Sequence, residues 1–247
     1  MGHFDRSGFR HLVSHLDKRS KLYLGVFSIG FVVGYPIGGE VIEWLLRADG
    51  YIPDGVEVII LQPLEAILLQ LRIAAQIAFG MMIVTIILDL SWTGRKTFAE
   101  SIDEFSNGTE VTRVISAIIA ISLLGMMGLS YSHNVLIPFL LDYLAEDSAA
   151  SGLQSTWQLQ SWVGFVTGLY FSSVLGFQVP VMIVMLLRAE LIERKSVVEN
   201  RGAIWFIALF LGALISPPDP ISLFLVGGPI LILLEIALFY EGFVSRG

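Results

Sequence analysis

An ionisable or amide side chain set inside a long apolar stretch is the feature of this sequence best able to do chemistry. A charge at the centre of a bilayer costs about 2.5–3.5 kcal/mol on insertion scales, so such a residue needs a reason to be there. Glu235 lies midway along the apolar segment 221–240. It reads as an inward-facing group that pairs with a substrate or a partner helix. The plainer alternative is a carboxyl that hydrogen-bonds a neighbouring helix. Gln178 stands two residues before Pro180, where an amide could cap carbonyls freed by the proline or offer a polar handle to a passing helix. Glu65 and Arg72 are seven apart, two turns on one helix face, and read as an ion pair at the membrane interface. His133, alone near Pro138, reads as a packing histidine, and Asp89 as a marker for the inner end of its span.

Catalysis finds little support. There is no Gly-x-Ser-x-Gly elbow, no His-Glu-x-x-His helix and no Walker loop. No cysteine is available as nucleophile, thiolate ligand or disulfide. Three of the four histidines (His3, His11, His15) fall in a polar N-terminal segment, too exposed and too close together for a buried metal site. No cofactor is implied. Any transport must draw its energy from elsewhere, such as a proton gradient. A small-solute or ion transporter with Glu235 and Asp219 as coupling carboxylates is the competing class, although no internal repeat of the kind many transporters carry is evident.

The elements that would hold these groups follow from hydropathy. Of 247 residues, 55% are hydrophobic and only 15% charged, against about 25% charged in a soluble domain. Long uncharged stretches, such as 114–141 and 148–187, approach or exceed the ~20 residues that a ~30 Å hydrocarbon core requires. We expect an all-α integral membrane protein. Residues 4–16 place Phe9, Leu12, Val13 and Leu16 on one face, an amphipathic helix suited to the interface. Spans follow at 22–44, 69–90, 113–139 and 161–187, the last carrying Pro180 as a kink. Two short apolar segments, 202–216 and 221–240, are separated by Pro217-Pro218-Asp219-Pro220, which no helix can run through. At ~1.5 Å per residue the first of these reaches only ~22 Å, so the pair either thins the bilayer or forms a re-entrant hairpin. Both choices leave the C-terminus on the same side. The chain thus divides into a polar segment, 1–21, and one transmembrane domain of six helices, 22–247.

Basic residues orient it. Thirteen of the fifteen lie in the N-terminal segment, in 93–113, in 188–201 and at the C-terminus, whereas the other face has Arg47 and Arg72 alone. Both termini are therefore expected in the cytoplasm. The first residues form no cleavable signal, for want of an apolar stretch ending in small residues. A net charge of −7 argues against nucleic acid as a partner. With only four lysines, the acid excess suits a high-salt organism, such as a halophilic archaeon.

The run Ile215-Ser216-Pro217-Pro218-Asp219-Pro220-Ile221-Ser222, followed by Gly228-Pro229 and Leu234-Glu235-Ile236, resembles a signature of the TatC family. Leu175-Gly176-Phe177-Gln178-Val179-Pro180-Val181 is similar to that family's fourth-span motif, with Gln178 where glutamate is commoner. Pro63, Glu65 and Arg72 match its pattern at the start of the second span. His15-Leu16-Asp17-Lys18-Arg19-Ser20-Lys21-Leu22 is similar to its N-terminal motif, with one residue fewer and aspartate for glutamate. The loop 93–113 lacks the family's usual Pro-Gly-Leu-Tyr run, and Glu110 and Arg113 are placed at its acidic and following basic positions. The resemblance implies a receptor in the cell membrane that binds signal peptides with two consecutive arginines. It would self-associate and assemble with single-span subunits of the TatA/TatB type, through which folded proteins cross. Under it, Asp17, Arg19, Glu110 and Arg113 are signal-peptide residues. Gln178 and Glu235 serve partner helices. Pro63, Glu65, Arg72, Pro180, Pro217, Pro218, Asp219 and Pro220 are structural or lie on the outer side.

Overall fold

The computed structural model describes residues 6–53, 55–93, 107–150, 152, 156–188, 194–215 and 220–244. Helix α1 (Arg6–Arg47) is 42 residues long, about 63 Å at 1.5 Å per residue and roughly twice a hydrocarbon core. The expected interfacial helix and first span are thus one unbroken helix. The reason is local: no glycine or proline lies between Gly8 and Gly25 to end the first segment. Pro36 sits inside the same helix.

A strand β1 (Glu57–Ile59) precedes helix α2 (Glu65–Thr93). Next come α3 (Asn107–Tyr131), a π-helical segment (Ser132–Leu136) and α4 (Ile137–Ala150) without interruption. The widened turn, in which the Ile137 N–H donates to the Ser132 carbonyl, precedes Pro138. Proline has no N–H and its ring crowds the carbonyl four residues back, so a π turn relieves the conflict without breaking the rod. Strand β2 (Thr156–Gln158) leads into α5 (Leu159–Arg188), which contains Pro180 and remains continuous. Helices α6 (Arg194–Glu199), α7 (Arg201–Ile215) and α8 (Pro220–Val244) complete the order. Pro220 opens α8, where a missing N–H costs nothing and the fixed φ favours a first turn.

Four stretches are long and apolar enough to cross a membrane: Leu16–Arg47, Glu65–Asp89, Ile115–Ser148 and Leu159–Leu187. Helix α7 has 15 residues, and Phe224–Phe239 of α8 forms a shorter apolar stretch. Large apolar side chains such as Val32, Met126, Phe206 and Phe239 are exposed, as a lipid-facing surface requires.

Close backbone approach joins α1 to α2. A Cβ on Gly30, Gly34 or Gly38 would lie 2.9, 3.0 and 3.1 Å from the Cα of Ala78, Ala74 and Gln70, respectively. Small residues every fourth position let two antiparallel helices meet where apolar solvent gives no hydrophobic drive to associate.

Strands β1 and β2 pair in parallel, with Glu57 opposite Thr156 and Ile59 opposite Gln158. Strand β2 runs straight into α5, and β1 reaches α2 through a short turn at 60–64, so the pairing brings the starts of α2 and α5 together at one end of the bundle. The main core lies at that end, built on Leu45, Leu69, Leu136, Leu140, Trp162 and Leu169 among others. A smaller cluster of Ile87, Ile121 and Val181 lies toward the opposite end.

Candidate recognition and intramembrane polar sites

At the sheet end Glu65 is fully buried. Its Oε1 accepts the backbone N–H groups of Leu61 at 3.0 Å and Gln62 at 2.9 Å, and the Gln158 amide at 2.8 Å. The carboxylate closes the Pro63 turn onto the first turn of its own helix and ties both to β2. Arg72 is not its partner, which corrects the expected ion pair. Seven residues set the two groups about 10 Å apart along the axis, and Glu65 turns back toward the loop. The Arg72 guanidinium instead lies across α5: a Cβ on Gly164 would collide with Nη1, and one on Gly168 would lie 3.8 Å from Nη2.

His133 belongs to the π segment and stands beside two phenols. Its Nδ1 is 2.6 Å from the Tyr51 hydroxyl and 2.9 Å from that of Tyr170, and the two hydroxyls also hydrogen-bond each other. Trp44 packs alongside, and the Trp162 indole donates to the Tyr51 carbonyl at 3.0 Å. Burial pushes the Tyr51 hydroxyl up from its ordinary pKa, so it remains a donor. This network joins the α1–α2 connection to the π segment and α5. The packing role expected of His133 is met, with partners that sequence spacing did not indicate.

The opposite end holds the expected recognition residues. Arg19 and Asp17, two apart on α1, diverge by about 200° around the helix. Asp17 is exposed. Arg19 turns to α2, where Nη1 donates to Asp89 Oδ1 at 2.6 Å and the Tyr23 hydroxyl donates to Oδ2 at 2.7 Å. The Asp89 side chain is only 7% exposed. It is thus the buried acceptor that binds α1 to α2, more than the span marker expected of it. Glu110 and Arg113 lie in the first two turns of α3, joined to the end of α2 through residues 94–106 and so at this same end.

Within the bundle, Gln178 is 2% exposed and its Nε2 donates to the Ile121 carbonyl on α3 at 3.1 Å. The amide therefore crosses to another helix instead of capping the carbonyl freed by Pro180. Glu235 accepts the Trp205 indole N–H at 3.2 Å, joining α8 to α7. Pro217, Pro218 and Asp219 lie outside the described residues.

Helices this long and apolar, with polar groups bonded across helix contacts and a polar cap at one end, define a multi-span membrane protein. Comparison with known proteins agrees. The family model for the Sec-independent protein translocase protein (TatC) matches residues 11–229, and the chain belongs to that family. Membership makes it a protein-transport component and not an enzyme. It is 30% identical over 135 residues to the Escherichia coli K12 TatC, a match covering 54% of this chain and about half (52%) of that relative. Over 240 residues it is 25% identical to the Listeria innocua TatC, covering 95% of this chain and 92% of that one. An archaeal relative from Cenarchaeum symbiosum is 25% identical over 190 residues, covering 76% and 69%. The fold is similar to two crystal structures of a twin-arginine translocase receptor, TatC. Both give a TM-score of 0.69; one, at 20% identity, covers 93% of this chain and 98% of the other, and the second, at 21%, covers 95% and 100%.

Proposed function

We propose that this chain is the signal-peptide receptor of a twin-arginine translocase. It binds precursors carrying two consecutive arginines at its cytoplasmic face. With single-span subunits of the TatA/TatB type it passes folded proteins across the cell membrane, driven by the proton gradient. The match to the family over residues 11–229 carries this reading. The end of the bundle with Asp17 and Glu110 supports the choice of face. A guanidinium offers a planar fork of donors that a carboxylate accepts in two places, whereas an ammonium is a point charge, so a receptor selective for arginine needs carboxylates where the peptide arrives. Asp17 is exposed there, while Arg19 is held by Asp89 and acts on recognition through the placement of α1. Arg113 is assigned to the same face as Glu110.

In this reading both termini are cytoplasmic, and α7 and α8 complete six spans. Cysteines placed at 195 in this Cys-free chain should then resist membrane-impermeant thiol reagents in intact cells, whereas cysteines at 52 or 56 should react. Glu235, only partly buried, serves a partner helix, whereas Gln178 is turned inward to Ile121 and is withdrawn from that role. Glu235→Leu should leave the protein folded and weaken crosslinking to the single-span subunits. The deciding experiment is co-purification with a twin-arginine precursor from membranes. Retention of the arginine form, with loss when the pair is changed to lysines, supports the receptor. Equal retention of both forms, or of neither, sinks it.

A further inference from the structure

Arg72 is a permanent cation inside the membrane-crossing stretch Glu65–Asp89, on an exposed position of α2. Among the described residues it has neither ion pair nor hydrogen bond. Its guanidinium is nonetheless held in place, since only glycine at 164 leaves room for it against the α5 backbone. A charge so placed favours an anion from outside the chain, because an uncompensated cation against hydrocarbon is costly.

Beside it runs an apolar groove of about 690 Å³ between α1, α2 and α5. Gln76, one turn beyond Arg72 on the same face of α2, lines this groove, as does Thr167, which lies between Gly164 and Gly168. Along α2 the groove runs from Ile73 to Thr85, about 18 Å at 1.5 Å per residue. One leaflet of a ~30 Å hydrocarbon core is ~15 Å thick. Arg72 lies on the order of 10 Å from the start of α2, on the sheet side of the bilayer. An unpaired cation one turn from Gln76 of an apolar groove about one leaflet long matches the charge and length of an anionic lipid.

We infer that the groove is a phospholipid site of the sheet-side leaflet, with the lipid phosphodiester on Arg72 and one acyl chain along α2 toward Thr85. The inference requires only that the helices cross a bilayer; it is independent of the orientation and of the cargo. Gly80 forms part of the groove wall, and a Cβ there meets only the Phe171 ring, at 3.9 Å. A larger side chain at 80 can therefore fill the groove while Arg72 is untouched.

The test is native mass spectrometry of the full chain in a non-ionic detergent, with equal amounts of phosphatidylglycerol and of diacylglycerol bearing the same chains. Wild type should retain the phospholipid over the diacylglycerol by about tenfold, the size expected of a charge-assisted contact. Arg72→Gln should abolish that preference, Arg72→Lys should keep part of it, and Gly80→Leu should reduce retention of both lipids. Absence of preference in the wild type, full preference in Arg72→Gln, or undiminished retention in Gly80→Leu would each overturn the site. So would crosslinking of residue 72 to a carboxylate of a partner helix in a protein that shows no lipid preference. Should Arg72→Gln fail to fold, the lysine and Gly80 variants decide the matter.

Discussion

The two ends of the bundle are built differently. At the sheet end a fully buried carboxylate, a parallel pair of strands, a Tyr–His–Tyr network and the largest apolar cluster lock the α1–α2 and α4–α5 connections to the π segment and α5. At the other end, among the described residues, the Arg19–Asp89 pair with Tyr23 holds α1 to α2, beside smaller clusters around Ile87 and Val197. Asp17 is exposed at that end, whereas Glu65 Oε1 accepts three hydrogen bonds. Under the proposed function, rigidity and recognition fall on opposite faces of the membrane.

The sharpest way to break this comparison is to remove the cap. Glu65→Ala strands the Leu61 and Gln62 N–H groups and the Gln158 amide without their acceptor. It should give the largest loss of thermal stability, with Tm falling on the order of 10 °C in detergent. A Tm unchanged within error would mean that water replaces the carboxylate and that the sheet end is not the rigid one.

Next in size is the reverse experiment. Asp17→Lys and Glu110→Lys should each weaken binding of a twin-arginine precursor by about tenfold, with Tm unaltered, and the double variant should abolish binding. Lysines in place of the cargo arginines should weaken binding to wild type, yet cost less in the double variant. Additive losses in that cycle would mean these carboxylates do not read the arginines.

A smaller effect belongs to the pair between the helices. Breaking a buried ion pair costs about 3–5 kcal/mol, and the Arg19 side chain is 41% exposed, so Arg19→Gln should cost only about 2 kcal/mol. The combination of Arg19→Gln with Asp89→Asn should cost less than the sum, because the attraction between the two is lost only once. Additive losses by chemical unfolding would show that the two do not act as a pair. The mildest change is Trp162→Phe, which removes one hydrogen bond to the Tyr51 carbonyl and should cost about 1 kcal/mol. A cost as large as that of Glu65→Ala would move the keystone of the sheet end from the carboxylate to the indole.

Sequence alone located the four stretches long and apolar enough to cross a membrane, because apolar length is a local property that no distant contact alters. It likewise marked His133 as a packing residue, since a lone histidine without a metal-binding neighbour is most simply satisfied by hydrogen bonds. Which polar groups meet was decided only in three dimensions. The Arg19–Asp89 bond joins residues 70 apart, Glu65–Gln158 93 apart and Tyr51–Tyr170 119 apart. The β1–β2 pairing involves three-residue strands too short to carry a period. Glu65 and Arg72 show the limit most plainly: their spacing placed both on one helix face, yet one turns back to cap a loop and the other crosses to α5. Spacing along a helix fixes where a side chain begins, while the neighbours brought up by the fold decide where a long, flexible one ends.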